Sequence, residues 1–184
     1  MTRLAQVVQE ALDHLDWQDT IDDDEAAGQS QVATGAIIDG QPCDIFINTH
    51  EQQDAISVFV YLPFRVKAAH YPEACMLVNA INVDARHGHL EILPETGKLR
   101  LVVSADVEGA SPGGIFVVRM LQCGEAIISH WLGALAAVAV TGRPAAEVLA
   151  AVASDEATAG ESAATADKPA PEQTIAPPEP RTLH

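Results

Sequence analysis

The apolar residues of this chain change their spacing along the sequence, from the three-and-four step of a helix to the two-residue step of a strand and back. That alternation predicts a mixed helix and sheet architecture. Between Thr2 and Asp16, the residues Leu4, Val7, Val8, Ala11, Leu12 and Leu15 recur on one helical face, with Gln6, Gln9, Glu10 and Asp13 opposite. Thr2 has the side chain of an N-cap. From Gln31 the period becomes two: Val32 to Asp39, Cys43 to Asn48 and Ala55 to Pro63 are rich in β-branched and aromatic residues and predict three antiparallel strands. Asp39-Gly40 suits a tight turn between the first two, and Thr49 to Asp54 a longer polar loop before the third. A short edge strand around Trp17 to Asp22 would precede them.

Pro63 is expected to end the third strand, after which Tyr71 to Asn82 returns to helical spacing, with Pro72 in its first turn. Gly88 to Leu93 and Lys98 to Asp106 form a second hairpin across Pro94-Glu95-Thr96-Gly97. Ser111-Pro112 reads as the cap and first turn of a long helix carrying Ile115, Val118, Leu121, Ile128, Trp131, Leu132, Leu135 and Val138. Phe116, Val117, Met120 and Ile127 widen its apolar stripe, which points to cover from a partner protein or a second copy of the chain. Thr141-Gly142-Arg143-Pro144 stops that helix, and Ala145 to Ala153 gives a last short one. Ser154 to His184 is Ala-, Pro- and Glu-rich with only Ile175 and Leu183 as large apolar residues, so a disordered tail is expected after a domain spanning 1–153. The expected class is α+β, an antiparallel sheet with flanking helices in the order α-β-β-β-α-β-β-α.

Charge excludes more than it selects. A net charge of -16 and a pI near 4.5 repel a phosphate backbone and an anionic membrane surface, so nucleic acid and membrane are not expected partners. Cys43, Cys75 and Cys123 are odd in number and form no Cys-x-x-Cys pair, which fits reduced thiols in the cytoplasm. No continuous apolar h-region follows the N-terminus, and the apolar run Ile127 to Val140 falls short of the roughly 20 residues of a membrane span.

Signatures of catalysis are missing: there is no Gly-x-Ser-x-Gly elbow, no Ser-x-x-Lys pair and no Walker loop. No enzyme, cofactor or metal is expected. His87 and His89 would lie on one face of a strand start as two metal-ligand types, with no third nearby. Asp19 to Glu25 lacks the glycine and terminal glutamate of a calcium loop. Ser111-Pro112-Gly113-Gly114 could offer free amides to an anion, or could simply cap its helix. The partner-binding candidates are Phe46, Phe59 and Tyr61, which share a sheet face if their strands pair, together with Phe116 and Met120 of the long helix. A helix of the same chain covering that sheet face is the competing outcome.

Particular strings also resemble a known family. Val58 to Pro63 (VFVYLP), Leu77 to Asn82 (LVNAIN), Gly88 to Gly97 (GHLEILPETG) and Lys98 to Glu108 resemble, in order and spacing, the YbjN family of bacterial sensory transduction regulators, over about residues 1 to 150. The resemblance implies a fold like type III secretion chaperones, which often dimerise and hold segments of client proteins, and it implies no defined catalytic site. The expected function is therefore a non-enzymatic protein-binding regulator or chaperone-like module. A small-molecule-binding sensor or an unrecognised enzyme is the alternative, and a deep pocket with convergent polar groups would favour it.

Overall fold

The computed structural model describes residues 1–166. Helix α1, Arg3–His14, begins on Thr2, whose hydroxyl accepts from the Ala5 amide at 3.3 Å. Six strands follow in one antiparallel sheet: β1 Asp22–Asp24, β2 Gln29–Ile38, β3 Gln41–His50, β4 Ala55–Arg65, β5 His89–Ile92 and β6 Lys98–Asp106, in spatial order β1-β2-β3-β4-β6-β5. Helix α2, Tyr71–Asp84, connects β4 to β5, and α3, Gly114–Thr141, follows β6. The expected α+β class and element order hold, and the short edge strand forms at Asp22–Asp24, just past its expected place.

Alternation sorts the sheet into two faces. Along β4, Ile56, Val58, Val60 and Leu62 are buried, whereas Ala55, Ser57, Phe59 and Tyr61 are only partly covered. Register aligns the buried set across strands: Val32, Ile47, Val58 and Val103 form one row, and Ile45, Val60, Leu101 and Leu90 another. Helix α3 lies on this inner face, close enough that a Cβ at Gly124 would meet Val60 at 3.5 Å and Leu101 at 3.6 Å. Its 28 residues are long and apolar enough to cross a membrane by length and composition. Here Val117, Leu121, Ile128, Leu135 and Val138 serve the core.

Three local expectations need correction. Pro63 does not end β4, because the strand has left β3 after Tyr61 and its register against β6 shifts between Tyr61 and Arg65, so the missing N–H falls where no ladder bond is required. Helix α3 is capped at Gly113 and not at Ser111, because the Gly114 amide donates to Glu10 Oε2 of α1 at 2.9 Å. A Cβ on Gly114 would sit 2.6 Å from the α1 backbone, so the start of α3 is set by a tertiary contact. Finally, α4 runs from Ala145 through Ala166, past the expected end at Ala153, along an alanine-rich stretch of high helix propensity. Residues Met1–Leu149 form one compact unit and the chain from Ala150 belongs to a second. Of the tail expected over Ser154 to His184, the part from 167 onward lies outside the described residues.

Candidate functional site

The outer face of the sheet is open to solvent. Its positions Ala33, Gly35, Asp44 and Ser104 are exposed, and no helix of residues 1–149 lies over them. Within residues 1–149 no helix covers the aromatic face. Phe46 stands opposite Phe59 in the β3–β4 register and meets Tyr61 edge to face, with ring centroids 5.5 Å apart. All three rings are half-buried.

Arg100 of β6, opposite Tyr61, binds this cluster together. Its guanidinium carbon lies 4.8 Å from the Phe59 ring centroid and 5.8 Å from that of Tyr61, and Nη1 donates to the Tyr61 hydroxyl at 3.0 Å. Nε and Nη2 each reach Glu91 Oε2 at 2.7 Å, and the other Glu91 oxygen takes His89 Nε2 at 3.0 Å. Desolvation alone would raise the Glu91 carboxyl, but hydrogen bonds from Arg100 and His89 outweigh it and hold it below the usual range. Desolvation likewise opposes the Arg100 charge, and its bonds to Tyr61 and Glu91 more than compensate. Lys98 adds a second cation 5.5 Å from the Tyr61 centroid. The result is an aromatic patch whose charged neighbours are already oriented, and Val102 beneath it is only 5% exposed.

The remaining candidates are dispersed. Phe116, 37% exposed, sits on α3, which packs against the opposite face of the sheet. Met120 is 5% exposed and faces the core, so it is withdrawn as a contact residue; the wide apolar stripe of α3 is partly used inside the domain. His87 and His89 do not share a strand face, because β5 begins only at His89 and Gly88, at φ +142°, breaks the alternation between them. Among the described residues no group of three or more His, Cys, Asp or Glu could hold a metal ion. In the acidic segment, Asp23 accepts from the Thr2 amide at 3.0 Å, Asp19 from the Thr34 hydroxyl at 3.0 Å and Asp24 from the Ala27 amide at 3.0 Å. The anion at the Ser111–Gly114 loop is supplied internally, by Glu10. Burial pushes the Cys43 thiol up, with Asp44 adding to the effect, as suits a core side chain.

Asn82 ties helix α2 to the edge of the sheet. Its amide donates to the Leu90 carbonyl at 2.9 Å and its oxygen accepts from the Leu90 amide at 2.7 Å, so the end of α2 closes the free edge of β5. Asn79 is exposed. Sequence reasoning missed one feature altogether, a groove of about 360 Å³ between the end of α2 and the middle of α3, lined by Ile81, Arg86, Cys123, Ile127 and Trp131 among others.

A family model, YbjN, described as "Putative bacterial sensory transduction regulator", matches residues 4–137. This chain belongs to the YbjN family. The YbjN match begins in α1 and ends near the end of α3, leaving α4 outside it. No curated protein matches the sequence significantly. Among solved structures, a chain of the HopA1–SchA chaperone–effector complex is similar at 16% identity with a TM-score of 0.46, over 67% of this chain and 88% of that one. The crystal structure of YbjN from E. coli is similar at 15% identity with a TM-score of 0.44, over 68% of this chain and 88% of that one.

Proposed function

We propose that this YbjN-family chain is a non-enzymatic, cytoplasmic protein-binding regulator that uses the outer face of its sheet. The observation that carries the reading is the uncovered aromatic cluster of Phe46, Phe59 and Tyr61, held together by Arg100 and left half-exposed by a chain that buries its other sheet face thoroughly. Aromatic side chains and arginine are the residue types enriched where proteins dock, and here Glu91 holds the arginine before any partner arrives. The fitting partner is an apolar segment of another protein. Phe116 lies on the helical side and is not part of this face.

The test is affinity capture from the native cell with the wild type and with Phe59→Ser and Tyr61→Ser variants. Both variants should retain the wild-type melting transition while losing a captured protein. Undiminished capture by both would remove the sheet face from the reading. Light scattering tells whether that partner is a second copy of the chain: a dimer dissociated by the same substitutions would make it so.

A further inference from the structure

The groove between α2 and α3 lacks the acidic excess of the protein that contains it. The chain has 26 acidic residues against 10 lysines and arginines. Yet Arg86 and His87 stand together at the junction of two adjoining cavities, of about 360 and 320 Å³, and both cavities are also lined by Cys123. Arg119 lines the second and His130 the first, and Asp84 is the single acid among the lining residues of either. Arg86 and His87 make no hydrogen bond or ion pair with the described residues, unlike Arg100 and Arg3, which are held by Glu91 and by Glu51 and Asp54.

The walls beyond Arg86 and His87 are apolar: Ile81 of α2 faces Ile127 and Trp131 of α3, and the Trp131 ring meets His130 edge to face with centroids 4.8 Å apart. An apolar trough of this size with a few polar groups at one place has the form of a small-molecule site. The Arg86 guanidinium can donate two parallel hydrogen bonds to a carboxylate, which a cationic head cannot accept. We propose that this groove binds a small amphiphilic carboxylate, its apolar body against Ile81, Ile127 and Trp131 and its head at Arg86 and His87. The site lies away from the aromatic sheet face and does not depend on the function proposed for that face.

The global charge makes the test sharp, because a net charge of -16 favours cations over anions on the surface as a whole. Calorimetry with decanoate and decyltrimethylammonium compares two amphiphiles of equal chain length and opposite sign. Decanoate should bind saturably and at least about tenfold more tightly. The Arg86→Glu variant, at an exposed and unpaired position, should lose that preference, and Ala126→Phe should lose binding by filling the groove from its exposed rim. In a Trp17→Phe background, where Trp131 is the remaining tryptophan, decanoate should shift the emission with the same affinity. Equal or tighter binding of decyltrimethylammonium, or decanoate affinity unchanged in either groove variant, would overturn the proposal. Phe59→Ser should leave decanoate binding unaltered.

Discussion

The two faces of the sheet are built from the same strands, one residue apart, and they are used in opposite ways. On the inner face Ile47, Val58, Leu101 and their neighbours are almost wholly removed from water by α1 and α3, and the polar residues buried there among the described residues are Ser30 and Thr49, whose hydroxyls bond each other. On the outer face the same registers place Phe46, Phe59, Tyr61, Arg100 and Glu91 side by side, large enough to shield Val102 but left in contact with solvent. Stability therefore resides chiefly on one side. The other side is organised by edge-to-face rings, cation–π contacts and an ion pair, interactions that fix side-chain orientation while contributing modestly to folding.

The comparison is sharpest at two neighbouring register rows. Leu101→Ala on the fully buried inner face should cost about 3 kcal/mol, read as a lowered denaturant midpoint, since it leaves a cavity under α3. Asn82→Ala removes both hydrogen bonds to Leu90 from the edge strand and should cost about 1 to 2 kcal/mol, with faster amide exchange confined to β5 and its hairpin. Phe59→Ser, directly across the ladder from Phe46 and Val102, should cost less than about 1 kcal/mol. A loss as large as that of Leu101→Ala would erase the distinction between the faces.

The smallest effect expected is in the acid limb of the stability curve. Glu91 has its carboxyl pKa lowered in the folded protein, so its contribution is present above the unfolded value of about 4.3 and is lost as pH falls through the lower folded value. Glu91→Gln should therefore cost about 0.5 kcal/mol or less at neutral pH, because the pair is partly exposed, and should flatten the decline of melting temperature below about pH 4. An identical acid limb in wild type and variant would show that the Arg100–Glu91 pair is as well solvated folded as unfolded.

Most elements were legible because their signals are local. The two-residue period over Ala55 to Pro63 places Phe59 and Tyr61 together whatever surrounds them, and Asp39-Gly40 turns the chain within a few residues. The misread positions are those where a distant group intervenes. Ser111-Pro112 has good capping chemistry, but Glu10 of α1 reaches the Gly114 amide and moves the start of α3. Met120 has the same residue type as an exposed contact, and only the packing of α3 shows which side it takes. The α2–α3 groove left no local trace, since Arg86 and Trp131 belong to separate elements and no motif spans them.

By itself the sequence determined where helices and strands form, which strands pair as hairpins, and which alternating set of side chains each strand offers to a core. It could do so because dihedral preferences, turn chemistry and side-chain period act over a few residues. Tertiary structure alone decided that the helices pack on one sheet face and leave Phe46, Phe59 and Tyr61 open, and that Arg86 and His87 meet the flank of α3. Those outcomes depend on burial summed over elements far apart in the chain, and a side chain's local pattern does not record which of its two faces the rest of the molecule will cover.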